Sequence, residues 1–283
     1  MKLVRYGLPG EERPGLIDAA GRLKDLGAQV DDIDAATVRV EKLAELRALD
    51  PNDLPEIGGE PRLGPPVNPK SVGKCVCIGL NFSDHAAETN NPIPTEPIVF
   101  MKATSAITGP YDPVILPRGS QKSDWEVELA VVVGKRCKYV PESEAPAYIA
   151  GFCAFNDVSE RNFQLERGGQ WTKGKSCDTF APMGPWLVTP DEVGDPDDLA
   201  MWCDVDGRRM QNGTSATMIF RVPAILSYLS NMFALEPGDV VATGTPPGVG
   251  AAMTPPAFLR AGQTMVTGIA KLGEMRNPIR ADD

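Results

Sequence analysis

Three acidic side chains in two separate segments have the types and spacing of a divalent-metal site. Glu126 and Glu128 lie in residues 124–129, which read DWEVEL, and Asp157 follows an apolar run at residues 149–155. Alternate residues of a strand point to the same side, roughly 6.5–7 Å apart, so the two glutamates share a face. Neighbouring carboxylates repel one another unless a cation lies between them. Three carboxylates, with water or substrate in the remaining positions, indicate Mg²⁺ or Mn²⁺.

Each of these acids also fits a plainer structural role. Glu126 and Glu128 are compatible with a solvated strand face, and Asp157 is compatible with a turn cap after a buried strand. The metal hypothesis therefore depends on the two segments meeting in the fold. If they meet, the ion would lie in a cleft at the strand ends.

His85, the one histidine, has an acidic neighbour at helical spacing. Residues 81–88 read NFSDHAAE, so His85 and Glu88 are three positions apart and share a helix face. A glutamate in this position can orient an imidazole that takes a proton from water. The alternative is a helix start capped by Ser83 or Asp84, with an exposed His–Glu pair.

Two glycine-rich segments need separate interpretation. Residues 169–176, GQWTKGKS, formally match a phosphate-binding loop, but the polar segment 164–167 precedes them in place of an apolar strand. Nucleotide binding is therefore not favoured. Residues 244–250, GTPPGVG, follow a predicted strand, and their backbone amides with Thr245 either hold a carboxylate or form a rigid turn.

Short strands separated by glycine and proline turns must position these side chains. One helix is clear: it begins near Pro223 and carries one apolar stripe, formed by Ile225, Leu226, Leu229, Met232 and Phe233. The sequence therefore predicts a mostly β structure with mixed sheets. The predicted strands are residues 75–78, 127–133, 149–155, 186–188, 199–205, 240–243 and 264–269.

The first 69 residues differ in pattern from the rest. They contain a strand at residues 3–6, a hairpin at 15–22 and helical spacing at 35–49. A proline- and glycine-rich connector follows at residues 51–69. We therefore predict a small N-terminal domain at 1–69 and a larger domain at 70–283.

Composition excludes several functional classes. The 38 acidic and 28 basic residues give a net charge of −10, which argues against nucleic acid or an anionic membrane as a partner. The six cysteines form no CxxC pair, so we expect buried free thiols and no cysteine/histidine zinc site. No apolar run reaches the length of a signal peptide or a membrane span, so a cytoplasmic location is expected.

Five motifs, in this order along the chain, resemble the fumarylacetoacetate hydrolase family. The resemblance covers about residues 70–275 and is carried by residues 78–88, 124–129, 156–164, 175–180 and 237–250. It implies an α+β, mostly β fold: a mixed β-roll with a small N-terminal α/β domain. It also implies a homodimer or a larger homo-oligomer.

The resemblance further implies roles for individual residues. Some relatives have a fourth acid a few residues before the histidine, but residues 76–83 contain none, so a three-carboxylate site is expected. The implied metal ligands are Glu126, Glu128 and Asp157, the catalytic residues His85, Glu88 and Lys175, and the substrate-binding residues Arg161, Gln164, Thr179 and Thr245.

The implied activity is Mg²⁺- or Mn²⁺-dependent hydrolysis of a C–C bond in a 2,4-diketo acid, which releases pyruvate. Residues 166–180 look like the sugar-acid branch of the family, so the favoured substrate is L-2,4-diketo-3-deoxyrhamnonate. The family also contains lyases, decarboxylases and isomerases, whose substrates would be ureidoglycolate, oxaloacetate or a hydroxy-diene-dioate. The intact His85–Glu88 pair favours hydrolysis or decarboxylation over isomerisation and over a non-enzymatic metal-binding protein.

Overall fold

The computed structural model describes residues 1–282, which form seventeen strands, six α-helices and several short 3₁₀-helices. The strands are β1 (Lys2–Tyr6), β2 (Arg13–Ile17), β3 (Leu23–Asp25), β4 (Cys75–Gly79), β5 (Ile98–Lys102), β6 (Ile107–Thr108), β7 (Val114–Leu116), β8 (Ser123–Asp124), β9 (Val127–Val133), β10 (Ile149–Asn156), β11 (Ser159–Glu160), β12 (Ala181–Val188), β13 (Ala200–Val205), β14 (Arg208–Thr214), β15 (Val240–Ala242), β16 (Thr264–Ile269) and β17 (Gly273–Ala281). The helices are α1 (Val40–Arg47), α2 (Ser83–Glu88), α3 (Arg161–Leu165), α4 (Thr172–Lys175), α5 (Pro190–Val193) and α6 (Val222–Met232).

Most of these strands belong to two mixed sheets. The larger sheet runs β3-β2-β1-β12-β10-β9-β15-β4-β5, with β6 paired to β12, and the smaller runs β14-β13-β16-β17-β7. The pairs β15–β4, β12–β6 and β17–β7 are parallel, and the other pairs within the two sheets are antiparallel. The predicted α+β, mostly β fold with mixed sheets is confirmed.

Strand β9 lies in the middle of the larger sheet and is buried on both faces, which explains its nearly continuous apolar sequence. Its odd-numbered residues, such as Leu129, join the apolar core shared with strand β13 and helix α6. Its even-numbered Ala130 and Val132 join a second core with N-terminal residues such as Leu3. Glu128 occurs in this strand as a fully buried carboxylate, so its burial needs a specific reason.

The N-terminal strands extend the larger sheet. Strand β1 pairs antiparallel with β12 at Lys2↔Val188, and the predicted hairpin is present as β2–β3. Leu3 packs in the same apolar cluster as Cys75 and Val240. The division at residue 69 stays a prediction, and Asp283, at the end of the predicted second domain, lies outside the described residues.

Helix α6 shows where the predicted elements depart from the observed ones. It begins as predicted, with Pro223 in its first turn, but Met232 at its last position is 49 % exposed and does not belong to the buried stripe. The helix ends there, so the 3.6-residue period no longer applies to the next turn. α6 is the longest helix at 11 residues, and no helix within residues 1–282 has the length and apolarity to cross a membrane.

The predicted strands did not include β5, β6, β7, β8, β11, β14 or β17. β14 is almost entirely polar, and β17 alternates buried with exposed positions, so neither has an apolar run. β5 lies at the edge of the larger sheet, where only Lys102 is buried. Edge position removes the requirement for apolar residues on both faces.

The cysteines occur as predicted, as six free thiols of which five are buried. Burial raises the pKa of the Cys153 thiol to about 12, with a smaller contribution from Cys75. Such thiols stay protonated at neutral pH and pack as small apolar side chains.

Candidate active site

The pairing of β9 with β10 brings the predicted metal carboxylates together. The two strands are antiparallel, with Phe155 opposite Glu128, so the end of β10 lies beside the start of β9. The Asp157 N–H donates to the Glu126 carbonyl oxygen at 2.8 Å, which fixes Asp157 next to Glu126. One carboxylate oxygen from each of Glu126, Glu128 and Asp157 lies within 4.8 Å of the other two. All three residues are buried, so the solvated strand face is excluded.

Two buried lysines contact this carboxylate cluster, which we define as Glu126, Glu128 and Asp157. Lys175 Nζ donates to Glu126 Oε2 at 2.7 Å and to Asp157 Oδ2 at 2.5 Å. Lys102 Nζ donates to Asp157 Oδ1 at 2.5 Å and to the Val158 carbonyl oxygen at 3.1 Å. The sequence analysis missed Lys102, whose only signal was a lysine at the end of an unpredicted edge strand.

The surroundings of the cluster shift the pKa values of Glu126 and Glu128 in opposite directions. Burial alone would raise the pKa of Glu126, but the positive charges of Lys175 and Arg161 outweigh it and lower the pKa to about 2. Burial raises the pKa of Glu128 well above its ordinary value, and the negative charges of Asp157 and Glu126 add to this effect. For Lys175, the opposing carboxylates outweigh burial and raise the pKa, so the ammonium stays charged.

These properties fit a divalent cation. The described part of the chain offers three carboxylate oxygens in one buried place, which are the hard ligands that Mg²⁺ and Mn²⁺ take. The Glu128 Oε2 atom accepts a hydrogen bond from the Gly244 N–H at 2.9 Å, which orients it from behind. A bound cation would also relieve the repulsion that raises the pKa of Glu128. Glu126, Glu128 and Asp157 are therefore the residues that would hold the metal.

His85 and Glu88 form the hydrogen-bonded pair that their spacing predicted. His85 Nδ1 lies 2.9 Å from Glu88 Oε2, and Glu88 Oε1 accepts the Gly248 N–H at 2.9 Å. An ionised carboxylate can only accept, so the hydrogen of the neutral imidazole is on Nδ1 and Nε2 has a free lone pair. His85 lines the same cavity as Glu126 and Glu128, which places a base beside the carboxylate cluster.

Hydrogen bonds from distant segments hold helix α2 at this cavity. The buried Asn81 donates to the carbonyl oxygens of Phe220 and Thr243 and accepts the Phe220 N–H. Ser83 Oγ donates to the Thr217 carbonyl oxygen at 3.2 Å. Asn81 thus anchors the start of the His85 helix to the end of strand β15, a role that its place in the sequence motif did not reveal.

Arg161, predicted to orient the substrate, lines the cavity and is held by carboxylates of the protein. Its Nε and Nη2 atoms donate to Asp124 Oδ2 at 2.9 and 2.7 Å, and Nη2 also lies 2.6 Å from Glu126 Oε1. Asp124 is fully buried and also accepts the N–H groups of Gly250 and Ala251. Arg161 therefore positions Glu126, and Asp124, which the sequence analysis did not single out, links both to the loop at residues 249–252.

Of the other three predicted substrate-binding residues, two line the cavity and one does not. Gln164 and Thr245 line the cavity; Gln164 Oε1 accepts from Arg161, and Thr245 Oγ1 accepts from the buried Gln211. Thr179 is not in the lining of this cavity, and its substrate contact stays a prediction. Its φ of +67° turns the chain away after α4, and its Oγ1 accepts the Ile115 N–H at 2.7 Å.

The packing around Gly174 explains why residues 169–176 have a glycine at this position. A Cβ at this position would lie 2.4 Å from the Glu160 carbonyl oxygen and 2.6 Å from the Gln164 nitrogen. Glycine thus lets α4 pack directly against α3, which delivers Lys175 to the carboxylate cluster. The glycine serves close packing, and the lysine contacts carboxylates of the protein.

The cavity has a volume of about 260 Å³, which suits a small organic acid. Its inner end is formed by Glu126, Glu128 and Lys175, and His85 lies on one side. Phe100 and Trp171 pack edge to face, with centroids 5.3 Å apart, and both line the cavity. The site therefore combines a cation-binding end with a partly aromatic wall.

Comparison with known proteins agrees with this geometry. Residues 74–280 match the model of the fumarylacetoacetate hydrolase C-terminal domain. A Burkholderia cenocepacia protein, named only as a hydrolase, is 55 % identical over 281 residues, which are 99 % of each chain. Fumarylacetoacetate hydrolase from Exiguobacterium antarcticum superposes with a TM-score of 0.88 at 33 % identity over the whole of both chains. Maleylpyruvate hydrolase from Sphingobium, solved with manganese(II) and pyruvate, gives 0.83 at 26 % identity, again over both whole chains. The chain belongs to the fumarylacetoacetate hydrolase family.

Proposed function

We propose that this protein is a divalent-metal-dependent hydrolase that cleaves a C–C bond in a 2,4-diketo acid and releases pyruvate. One observation carries the proposal: a buried three-carboxylate cluster, a charged lysine and a carboxylate-oriented histidine line the same small cavity. Relatives named as hydrolases, one of them solved with manganese and pyruvate, support it.

The bound cation would act as a Lewis acid toward the carboxylate and 2-oxo oxygens of the substrate. It also changes the charge of the site. Glu126, Glu128, Asp157 and Asp124 oppose Lys102, Lys175 and Arg161, so four potential negative charges face three positive ones. Addition of a divalent cation reverses this balance and favours binding of an anionic 2-oxo acid.

His85 would act as the general base. Glu88 holds the hydrogen on Nδ1, so Nε2 removes a proton from water as the water oxygen attacks the C4 carbonyl carbon. The C3–C4 bond then breaks, its electron pair stays on C3, and the pyruvate fragment leaves as its enolate. The acyl fragment leaves as a carboxylic acid.

Lys175 would stabilise the negative charge that develops on the pyruvate fragment. Two of the three N–H donors of its ammonium are used by Glu126 and Asp157, so one remains for substrate. The carboxylates keep the ammonium charged in a buried place, where a fixed donor is most effective. Such a donor typically contributes about 3–4 kcal/mol to barrier lowering.

Among 2,4-diketo acids we favour L-2,4-diketo-3-deoxyrhamnonate, cleaved to pyruvate and lactate, and Mg²⁺ or Mn²⁺ as the metal. A lyase or decarboxylase acting on ureidoglycolate or oxaloacetate is the second candidate, because the same cluster and base would serve it. A homodimer and a cytoplasmic location stay predictions from the sequence.

A direct assay tests the proposal. Purified protein is incubated with 2,4-dioxopentanoate or the rhamnonate derivative, and pyruvate is measured with a coupled dehydrogenase. We expect activity that disappears with EDTA and returns with Mg²⁺ or Mn²⁺. Oxaloacetate and ureidoglycolate are run in parallel, and faster turnover of either would replace hydrolysis by the second candidate. Turnover that persists in EDTA would contradict the metal role.

A further inference from the structure

We propose that the substrate carries a single carboxylate, at its 2-oxo end, and that its acyl end is uncharged. This inference rests on the proposed function, because it assumes that the 2-oxo acid faces the carboxylate cluster. It goes further by dividing diketo acids into monoacids, which the cavity accepts, and dioates, which it excludes.

The permanent cations at the cavity are already paired with carboxylates of the protein. Among the described side chains that line the cavity, these are Arg161 and Lys175. Arg161 contacts Asp124, Glu126 and Gln164, and Lys175 contacts Glu126 and Asp157. Arg161 is thus held by carboxylates of the protein, and the remaining donor of Lys175 lies at the inner end. No cation in this lining is left to pair with a second substrate carboxylate.

The backbone amides of the glycine-rich loop would otherwise be a natural anion site. The Gly248 N–H donates to Glu88 Oε1 at 2.9 Å. The Gly250 and Ala251 N–H groups donate to Asp124 at 2.7 and 3.0 Å. These three donors already face carboxylates of the protein, so this side of the loop repels a further anion.

An apolar wall forms part of the cavity lining. Phe100, Leu165, Trp171 and Val249 supply apolar surface. The polar contribution there is neutral: Thr89 Oγ1 donates to the His85 carbonyl oxygen and accepts from Asn91 Nδ2. A carboxylate placed against this wall would lose water without gaining a charged partner. An alkyl or hydroxyalkyl acyl group loses little there.

This inference separates the protein from one of its structural relatives. Maleylpyruvate, the substrate named for the Sphingobium enzyme, has a carboxylate at both ends. A dioate of this kind would bring its second negative charge against the cavity lining, whose described side chains supply no further cation. Specificity would then come from the unfavourable burial of that charge.

The test compares two diketo acids that differ only in the distal charge: 2,4-dioxoheptanedioate and its terminal methyl ester. Pyruvate release is measured with the Mg²⁺-loaded protein. We expect kcat/KM to be at least tenfold higher for the ester. Equal values, or a preference for the dioate, would overturn the inference.

A pair of variants tests whether the apolar wall that contains Leu165 causes the preference for the ester. Leu165 is 56 % exposed at the end of α3, so a long polar side chain fits there without disturbing the core. Leu165→Arg should reduce the ester/dioate ratio of kcat/KM at least tenfold by supplying the missing cation. Leu165→Gln, the matched uncharged control, should keep the ratio within threefold. An equal change of the ratio in both variants would contradict a charge effect.

Binding without turnover separates this inference from the proposed function. Titration calorimetry compares 2-oxoglutarate with its 5-methyl ester on the Mg²⁺-loaded protein. If no diketo acid is cleaved but the ester binds at least tenfold more tightly, the hydrolase proposal fails and the monoacid inference stands. If neither binds, or 2-oxoglutarate binds as tightly as its ester, the inference fails.

Discussion

The carboxylate cluster and the His85–Glu88 pair line one cavity, but they are held in opposite ways. Glu126, Glu128 and Asp157 are buried on central strands β9 and β10 or directly beside them. His85 and Glu88 lie on the six-residue helix α2, where Glu88 is exposed and the helix is held by hydrogen bonds from Asn81 and Ser83. Strand pairing fixes one half of the site, and a few side-chain bonds fix the other.

The difference reflects the different physical requirements of the two halves of the site. Like charges in a buried place need a rigid frame and opposite charges, which the sheet, the two lysines and Arg161 provide. A base that exchanges protons with water needs local orientation and access, which an i,i+3 pair on a short helix provides. Substitutions in the carboxylate cluster should therefore reduce metal binding, and substitutions in the His85–Glu88 pair should reduce turnover.

The largest effect is expected for Glu128→Gln. Because burial and the neighbouring carboxylates raise the pKa of Glu128 well above its ordinary value, a neutral glutamine should replace it at little cost in thermal stability. The change removes one ligand oxygen charge, so pyruvate release should fall below detection and the stabilisation by Mg²⁺ should disappear. Differential scanning calorimetry with and without Mg²⁺ measures both states, with the exposed Glu45→Gln as a control. Normal Mg²⁺ stabilisation in Glu128→Gln would exclude it as a ligand.

His85→Ala should reduce kcat by about 10²–10⁴-fold, the usual contribution of a general base. Metal affinity should stay within about threefold of the unchanged protein, since His85 contacts Glu88 and not the cluster. Isothermal titration with Mn²⁺ checks the second part. A parallel loss of Mn²⁺ affinity would mean that His85 is itself a metal ligand.

Asp124→Asn should have an intermediate effect. It removes the charge that holds Arg161, which in turn contacts Glu126, so we expect a loss of roughly 10–100-fold in metal affinity. Asp204→Asn is the matched control, because Asp204 pairs with the exposed Arg209 far from the cavity lining. Equal affinities in the two variants would show that Arg161 does not position Glu126.

The smallest effect is a pH dependence of metal binding. The raised pKa of Glu128 favours the protonated carboxyl in the metal-free protein, and a ligand carboxylate must release that proton. Affinity for Mg²⁺ should therefore rise with pH, by at most about tenfold per unit for one proton. Calorimetry in buffers of different ionisation enthalpy measures the released proton. A pH-independent affinity would show that the site is already deprotonated.

Local patterns predicted the parts of the site that depend on neighbours in sequence. The spacing of His85 and Glu88 was sufficient, because three residues along a helix bring side chains together in any fold. The apolar runs predicted β9 and β10, because a strand buried on both faces must be apolar throughout. Lys102 and the exposed position of Met232 could not be predicted, since each depends on an edge or an end that the sequence does not mark.

The sequence by itself determined the residue types, the central strands and the His85–Glu88 spacing, because these follow from periodicity and side-chain chemistry. Only the tertiary structure decided that Asp157 meets Glu126, because strand register sets that contact across a long loop. It also decided that Arg161 contacts Asp124 and Glu126, and that Thr179 contacts Ile115 outside the cavity lining. Hydrogen-bond partners distant along the chain are chosen by packing, which no local pattern records.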